Sequence, residues 1–204
     1  MNRKPLIVFE GVDNSGKTTI SKIIAKRYPE FKWSKEPIFT TEEADRLNSD
    51  EFKGKDAKRE VFFLEGRLAQ QKFYQENMVL LDRYLWSGLA YAKAFSPSIY
   101  PFCQELYQDY KIFKRPDLVI FMDTPLESCY DREPKLKETP GRLENLRAAY
   151  METKEFMHCP IEAIDGSKTV EECVAACIRA INRHIPELSL DRGKLTRWFN
   201  RHFL

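Results

Sequence analysis

Residues 11–18 read Gly11-Val12-Asp13-Asn14-Ser15-Gly16-Lys17-Thr18, and this stretch decides the fold. It follows the apolar run Leu6-Ile7-Val8-Phe9, which predicts a buried strand, and it precedes isoleucines at helical spacing. A G-x-x-x-x-G-K-[ST] pattern between a strand and a helix is typical of a loop whose backbone N–H groups surround phosphates. The sequence therefore predicts a nucleoside triphosphate site, with ATP-binding residues Gly11, Asn14, Ser15, Gly16, Lys17, Thr18 and Thr19.

Composition excludes several other classes of protein. The chain has 204 residues, a net charge of +2 and 43% apolar residues, which suits one folded domain and gives no charge argument for nucleic acid as a partner. No apolar run approaches the roughly 18 residues that span a bilayer, and only five residues precede the first strand. We expect a protein without membrane contact that is located in the cytoplasm, with the nucleus as the alternative. Five scattered cysteines predict reduced thiols and no structural metal; Cys173 and Cys177, four residues apart, are expected on a buried helix face.

Strands and helices alternate along the rest of the chain. Further strands are predicted near 31–34, 78–82, 117–123 and 160–165. Helices are predicted over 55–76, 86–95 and 169–184, with one more ending near residue 110 and another ending near residue 156. This order predicts a single α/β domain over residues 1–204, a P-loop fold with a central parallel five-stranded sheet between layers of helices. In the helix over 55–76 we expect core contacts from Val61, Phe62, Leu64, Leu68 and Phe73.

Two segments fall outside that core. Residues 131–142 are charged and contain two prolines and a glycine, which predicts a short lid over the nucleotide site. Residues 190–202 alternate basic and apolar side chains and predict an amphipathic helix. This helix either packs on the domain or docks on a partner, a membrane surface or RNA.

Two pairs of residues narrow the chemistry, because a phosphate-binding loop alone does not separate a kinase from a GTPase or an ATPase. Asp82 and Arg83 follow a predicted buried strand, at the edge of a parallel sheet where ligands bind. The carboxylate can hold Mg²⁺ through water, as the Thr18 hydroxyl can directly, and the arginine can clamp a phosphate; a structural ion pair is the alternative. Phe63 and Arg67 lie one helical turn apart, which suits a planar base with a carbonyl edge.

With these motifs the chain resembles the thymidylate kinase family of P-loop nucleoside-monophosphate kinases. The matching pieces cover the chain up to about residue 187: Phe9-Glu10-Gly11-Val12-Asp13, Lys35-Glu36-Pro37, Phe63-Leu64-Glu65-Gly66-Arg67, Asp82-Arg83-Tyr84, Ser87-Gly88-Leu89-Ala90-Tyr91, residues 116–123 and Gly141-Arg142-Leu143-Glu144. The block from Asp82 to Tyr91 is the most specific of these pieces.

The resemblance implies roles for residues around the phosphate acceptor. It implies that Asp13 reaches the sugar 3′-hydroxyl, that Phe63 stacks on thymine and that Arg67 donates to O4 of the base. It also implies that Arg83 contacts the acceptor phosphate and that Tyr91 lies against the 2′ side of the sugar. The matching motifs add Glu36, Ser87 and Gly88 to the acceptor-binding residues.

The catalytic cation is expected in the lid. Some members of the family carry an arginine inside the phosphate-binding loop, where this chain has Asn14 and Ser15, and others supply the cation from the lid. Phosphoryl transfer needs positive charge at the transferring group. Arg132 is the first candidate and Arg142 the second, followed by Lys135 and Lys137. The loop after Pro37 departs from the family pattern, and Arg46 is a candidate to replace its acceptor-phosphate contacts.

The resemblance implies an ATP-dependent, Mg²⁺-requiring dTMP kinase that contributes to dTTP synthesis, with Lys17, Asp82, Arg83, Arg132 and Arg142 as its catalytic residues. It also implies a homodimer, to which Phe62, Phe73 and Tyr74 could contribute if they are not core residues. The alternatives are a kinase of another deoxynucleotide or of a deoxynucleoside (dUMP, dGMP or thymidine) and, from a different class, a nucleotide-dependent switch.

Overall fold

A computed structural model of the chain describes residues 4–36, 56–109, 111–135, 139 and 141–190. Three sequence predictions lie outside these residues: the role of Arg46, the contribution of Lys137 to the lid, and the basic helix predicted over 190–202, of which only Leu190 is described.

A five-stranded parallel sheet forms the centre of the molecule, as the sequence predicts. Its strands are β1 (Leu6–Glu10), β2 (Lys32–Lys35), β3 (Val79–Asp82), β4 (Leu118–Asp123) and β5 (Ile161–Asp165). They lie in the order β2-β3-β1-β4-β5, and every neighbouring pair is parallel. Because β1 lies between β3 and β4, the chain leaves its carboxyl end at the point where a crevice opens in sheets of this kind. That point is where the phosphate-binding loop begins.

Helices cover both faces of the sheet. They are α1 (Lys17–Arg27), α2 (Asp56–Ala69), α3 (Gln71–Glu76), α4 (Leu85–Phe95), α5 (Tyr100–Tyr107), α6 (Leu126–Arg132), α7 (Arg142–Thr153) and α8 (Val170–His184). Helices α1 and α8 pack on one face through side chains that include Ile20, Ile24, Ile178 and Ile181. Helices α4 and α7 pack on the other face through side chains that include Trp86, Leu89, Leu146 and Tyr150. No described helix has the length and apolarity needed to cross a membrane.

The single helix predicted over 55–76 is wrong, because the chain forms α2 and α3 with a break at Gln70. At the break the Arg67 carbonyl accepts from the Gln70 backbone N–H at 3.3 Å and from the Gln71 side-chain amide at 2.8 Å. A local side-chain bond of this kind competes with the helical ladder, and apolar spacing does not reveal it.

The prediction of core contacts is also wrong for two residues of α2. Val61 is 42% exposed and Leu68 is 40% exposed, whereas Phe62, Leu64 and Tyr74 are buried. Phe73 is half-buried beside the core. Phe62 and Tyr74 therefore belong to the core, and Val61 and Leu68 mark the outward face of α2. The predicted buried face of the last helix is confirmed, since Cys173 and Cys177 are both buried.

Candidate active site

The phosphate-binding loop curls through three backbone positions with positive φ. Gly11 has φ 137°, Asn14 has φ 57° and Gly16 has φ 98°. A Cβ atom on Gly11 would lie 2.8 Å from the Met122 carbonyl oxygen of β4, so only glycine fits there. Gly11 thus lies beneath the loop and permits its close approach to the sheet.

The donor cavity, about 400 Å³ in volume, opens above this loop. It is lined by Asp13, Asn14, Ser15, Gly16, Lys17, Thr18, Thr19, Ile20, Lys35, Asp82, Arg83, Met122, Arg132, Gly166, Lys168, Val170 and Cys173. Every predicted ATP-binding residue except Gly11 is among them. The Lys17 ammonium donates to the Val12 carbonyl and to Ser15 Oγ, the latter at 3.1 Å. Burial, reinforced by the charge of Arg83, lowers the pKa of Lys17 to about 7.

Thr18 and Asp82 are adjacent at the inner end of the cavity. The Thr18 hydroxyl donates to Asp82 Oδ2. The other carboxylate oxygen, Oδ1, is buried and accepts no hydrogen bond from any described residue. A buried carboxylate oxygen without a donor, beside a hydroxyl, is a suitable pair of ligands for Mg²⁺. No group of three or more metal-binding side chains occurs among the described residues, so any ion here would also need water and substrate oxygens.

Arg83 occupies a strained turn between β3 and α4, with φ 72°. Its guanidinium forms an ion pair with Asp13 and donates to the Gly11 carbonyl at 3.2 Å. It also donates to Ser87 Oγ and to the Tyr150 hydroxyl, each at 3.2 Å. The arginine predicted to bind the acceptor phosphate is therefore fixed beside the phosphate-binding loop.

The Glu10 side chain fixes this turn through hydrogen bonds to its backbone. Its buried carboxylate accepts from the backbone N–H groups of Tyr84 at 2.9 Å and Ser87 at 3.1 Å, which begin α4. The hydroxyls of Ser87 and Tyr150 also donate to it. An anion at a helix N-terminus is stabilised by the exposed N–H groups and the helix dipole. Burial nevertheless raises the pKa of Glu10, although these hydrogen bonds act to lower it. The motif match gave Glu10 no role.

Asp13 links the loop to α4. The Tyr91 hydroxyl donates to the two Asp13 oxygens at 3.1 Å and 2.9 Å. Burial opposes ionisation of Asp13, but Arg83 and Lys17 outweigh it and hold its pKa below the usual value. Asp13 is therefore a charged group of the phosphate-binding loop that contacts two predicted acceptor-site residues, Arg83 and Tyr91.

A second cavity of about 320 Å³ opens beside the donor cavity. Its lining is Lys35, Glu36, Arg59, Glu60, Phe63, Arg67, Arg83, Ser87, Tyr91, Phe95, Ser96 and Arg142. Six of the predicted acceptor-binding residues are in this set, and Lys35 and Arg83 line both cavities. The structure thus brings most of the predicted donor and acceptor residues to two adjoining spaces. Gly11 and Gly88 line neither, and Asp13, predicted for the acceptor, lines only the donor cavity.

The two lid arginines lie in different cavities. Arg132, at the end of α6, donates to the Asn14 carbonyl at 3.1 Å and to the Gly166 carbonyl at 2.7 Å, inside the donor cavity. Arg142, the first residue of α7, lies over the Phe95 ring at 4.4 Å from its centroid, in the acceptor cavity. Lys135 is exposed and lines neither cavity. Among the described lid residues, Arg132 is therefore the cation placed beside the phosphate-binding loop.

Several lining residues were missed by the sequence analysis. On the donor side they include Gly166 and Lys168, which follow β5, and Val170 and Cys173, in the first turns of α8. Their signal was available, because the carboxyl end of every strand in a parallel sheet faces the same crevice. On the acceptor side the missed residues are Lys35, Arg59, Glu60, Phe95 and Ser96. Lys35 ends β2 and carries the same strand-end signal, whereas only proximity in the fold gives a signal for the other four.

Comparison with known proteins now identifies the family. The sequence profile of the thymidylate kinase family matches residues 9–177 of the chain. The chain belongs to the thymidylate kinase family. The thymidylate kinase of Leptospira interrogans is 28% identical over 212 residues, covering 92% of this chain and 99% of that protein. The probable thymidylate kinase of Methanococcus aeolicus is 32% identical over 157 residues, covering 71% of this chain and 76% of that protein.

Solved structures confirm the fold of the family. A thymidylate kinase from Candida albicans superposes with a TM-score of 0.72 at 22% identity, covering 89% of this chain and 92% of that chain. A deoxyadenosine kinase from M. mycoides, solved with bound dATP, gives a TM-score of 0.70 at 19% identity, covering 87% and 99%. The three-layer P-loop fold and the family expected from the sequence motifs are therefore confirmed, and membership of this family makes the chain a kinase.

Proposed function

We propose that this chain transfers the γ-phosphoryl group of ATP to the phosphate of dTMP, giving ADP and dTDP. One observation carries the proposal: a phosphate-binding cavity and a cavity lined by Phe63 and Arg67 adjoin at Arg83 and Lys35. A phosphoryl group passing between two such spaces meets two cations at their junction. Family membership supports the same reaction.

On the donor side, the loop N–H groups and Lys17 bind the triphosphate. Phosphate oxygens replace the Val12 carbonyl and Ser15 as partners of the Lys17 ammonium, and their negative charge restores its proton. Thr18 and Asp82 would hold Mg²⁺, Asp82 through water; when bound, the ion neutralises charge on the β- and γ-phosphates. The Asp82 oxygen without a donor supports this assignment.

On the acceptor side, Arg83 binds the phosphate of dTMP and orients its oxygen toward the γ-phosphate. That oxygen is already charged, so the reaction needs positioning and charge stabilisation rather than an activated side chain. Tyr91, with its hydroxyl on Asp13, lies where a ribose 2′-hydroxyl would compete for space. Phe63 and Arg67 receive the base. Arg132 stabilises the transferring group from the lid, and this role rests on its hydrogen bonds inside the donor cavity.

An acceptor panel tests the proposal. Initial rates with ATP and Mg²⁺ are measured for dTMP, dUMP, dGMP, dCMP and thymidine, with the product nucleotide quantified directly. We expect the highest kcat/KM for dTMP. Higher values for purine monophosphates would contradict the roles of Phe63 and Arg67, and a preference for thymidine would indicate a nucleoside kinase. ATP hydrolysis without phosphoryl transfer to any of these acceptors would support the alternative that the protein is a nucleotide-dependent switch.

We also propose a homodimer that acts in the cytoplasm. Val61 and Leu68 are exposed and seven residues apart on α2, a spacing that suits packing against a second copy. All five cysteines are free thiols, as is usual in a reducing compartment. Sedimentation equilibrium should give the mass of two chains for the wild type and of one chain for Val61→Glu. A wild-type monomer at enzyme concentrations well above the assay range would contradict the dimer.

A further inference from the structure

The Arg67 guanidinium is held by two buried groups from distant parts of the chain. Its Nε donates to Glu36 Oε2 at 2.7 Å, and its Nη1 donates to the Tyr107 hydroxyl at 2.7 Å. Arg67 is 4% exposed, and Glu36 and Tyr107 are each 1% exposed. Glu36 itself is fixed by the Tyr74 hydroxyl, which donates to its other oxygen at 2.8 Å. Because a guanidinium is planar, fixing two of its three nitrogens fixes the direction of the third.

The space for this arrangement comes from a glycine on α4. A Cβ atom on Gly88 would lie 2.6 Å from Tyr107 Cε2 and 2.8 Å from Arg67 Nη1. The Tyr107 ring and the Arg67 guanidinium therefore rest directly on the backbone of the helix that also carries Ser87 and Tyr91. Gly88 does not line the acceptor cavity, and its effect on the site passes through these two side chains.

The third nitrogen of the guanidinium remains available. Nη2 of Arg67 makes no hydrogen bond within the described part of the chain, and Arg67 lines the acceptor cavity together with Phe63. Tyr107 does not line that cavity. Its ring lies behind the guanidinium, 5.5 Å from Arg67 Cζ. Tyr107 therefore acts on the substrate indirectly, and its hydroxyl does so through the Arg67 guanidinium that donates to it.

We propose that Tyr107 is a positioning residue for base selection, holding Arg67 so that Nη2 faces the carbonyl at position 4 of a pyrimidine base. The inference rests on the proposed dTMP kinase function. A guanidinium fixed in this direction donates to the O4 carbonyl of thymine, whereas the amino group of cytosine presents a second donor to it. Two opposed donors in a closed site leave both without a partner. A guanidinium free to turn away would lose this discrimination.

Tyr107→Phe tests the inference because it removes only the hydroxyl. We expect the kcat/KM for dTMP to fall about tenfold, mainly through KM, which corresponds to the loss of one hydrogen bond to a charged group. The kcat/KM for dCMP should not fall, so the preference for dTMP over dCMP also falls about tenfold. The KM for ATP should stay unchanged, because neither Tyr107 nor Arg67 lines the donor cavity.

The matched control is Thr153→Val. It also removes a buried hydroxyl, which donates to the Ala149 carbonyl at 2.7 Å and accepts from Trp86 Nε1 at 3.1 Å, and Thr153 lines neither cavity. This variant should retain the wild-type preference for dTMP over dCMP even if its melting temperature falls as far as that of Tyr107→Phe. A loss of preference in both variants would indicate general loosening and overturn the inference.

Two outcomes separate this inference from the proposed function. A wild-type enzyme that does not prefer dTMP contradicts the proposed function and, with it, this role of Tyr107. A wild-type enzyme that does prefer dTMP, with Tyr107→Phe lowering dTMP and dCMP turnover by the same factor or not at all, contradicts only the inference. If Tyr107→Phe does not fold, Glu36→Gln weakens the other fixed nitrogen, and the same loss of preference is expected; an unchanged preference in it overturns the inference.

Discussion

Replacing Arg132 by alanine should reduce kcat while leaving the binding of both substrates almost unchanged. Arg132 reaches into the donor cavity, where it donates to two carbonyl oxygens beside the phosphate-binding loop. When ATP is bound, phosphate oxygens offer stronger acceptors than those carbonyls. A cation about 4 Å from one developing negative charge contributes about 4 kcal/mol at an effective dielectric constant near 20. Arg132 is exposed, so solvent screening reduces this value, and we expect kcat to fall roughly 100-fold.

The assay couples ADP formation to NADH oxidation at saturating ATP and Mg²⁺ with varied dTMP. Arg132→Lys should recover part of the loss, because it keeps the charge but not the planar fork. Arg142→Ala provides the comparison, since Arg142 lies over Phe95 in the acceptor cavity. That variant should raise the KM for dTMP more than it lowers kcat. A kcat for Arg132→Ala within threefold of the wild type, with a large loss in Arg142→Ala, would refute the assignment of the catalytic cation.

Three further predictions concern the metal, the lysine and the core. Asp82→Asn should lower kcat at least tenfold and raise the Mg²⁺ concentration needed for half-maximal rate, because the amide is a weaker ligand beside Thr18; an unchanged Mg²⁺ titration would contradict the metal assignment. Because the pKa of Lys17 is about 7 in the free protein, ATP binding at pH 8 should take up close to one proton and at pH 6 almost none, as measured by calorimetry in buffers of different ionisation enthalpy. Equal uptake at both values would rule out Lys17 as its source. Ile24→Ala should lower the unfolding free energy in urea by about 2–5 kcal/mol, because Ile24 is fully buried, whereas Met151→Ala on the exposed face of α7 should cost less than about 1 kcal/mol; equal losses would contradict the assigned burial.

The phosphate-binding loop could be predicted from sequence because its chemistry is local. Its glycines, Lys17 and Thr18 are contiguous, and the flanking apolar runs fix the strand and helix that position them. Asp82 and Arg83 could be predicted for a related reason, since a residue at the carboxyl end of a parallel strand faces the ligand crevice wherever it lies in the chain.

Other features depend on contacts between distant residues. The Gln71 side chain beside the break bonds to Arg67, Tyr84 and Lys114, and the exposure of Val61 and Leu68 depends on which face of α2 the rest of the molecule covers. The sequence also made Arg132 and Arg142 candidates for the same role, that of the catalytic cation. Only the fold places them in separate cavities, because α6 ends beside the phosphate-binding loop and α7 begins beside α4.

The two substrate sites are joined by one buried carboxylate. Glu10 ends the strand that leads into the phosphate-binding loop, and it binds the first N–H groups of α4 and the Tyr150 hydroxyl of α7. Arg83 lies on the turn that Glu10 holds, and it pairs with Asp13 of the loop. A shift of any one of these elements therefore moves Arg83, one of the two cations that line both cavities. Since phosphoryl transfer relies on positioning more than on covalent chemistry, the rigidity of this buried network is what allows a loop built for phosphate binding to serve a transfer reaction.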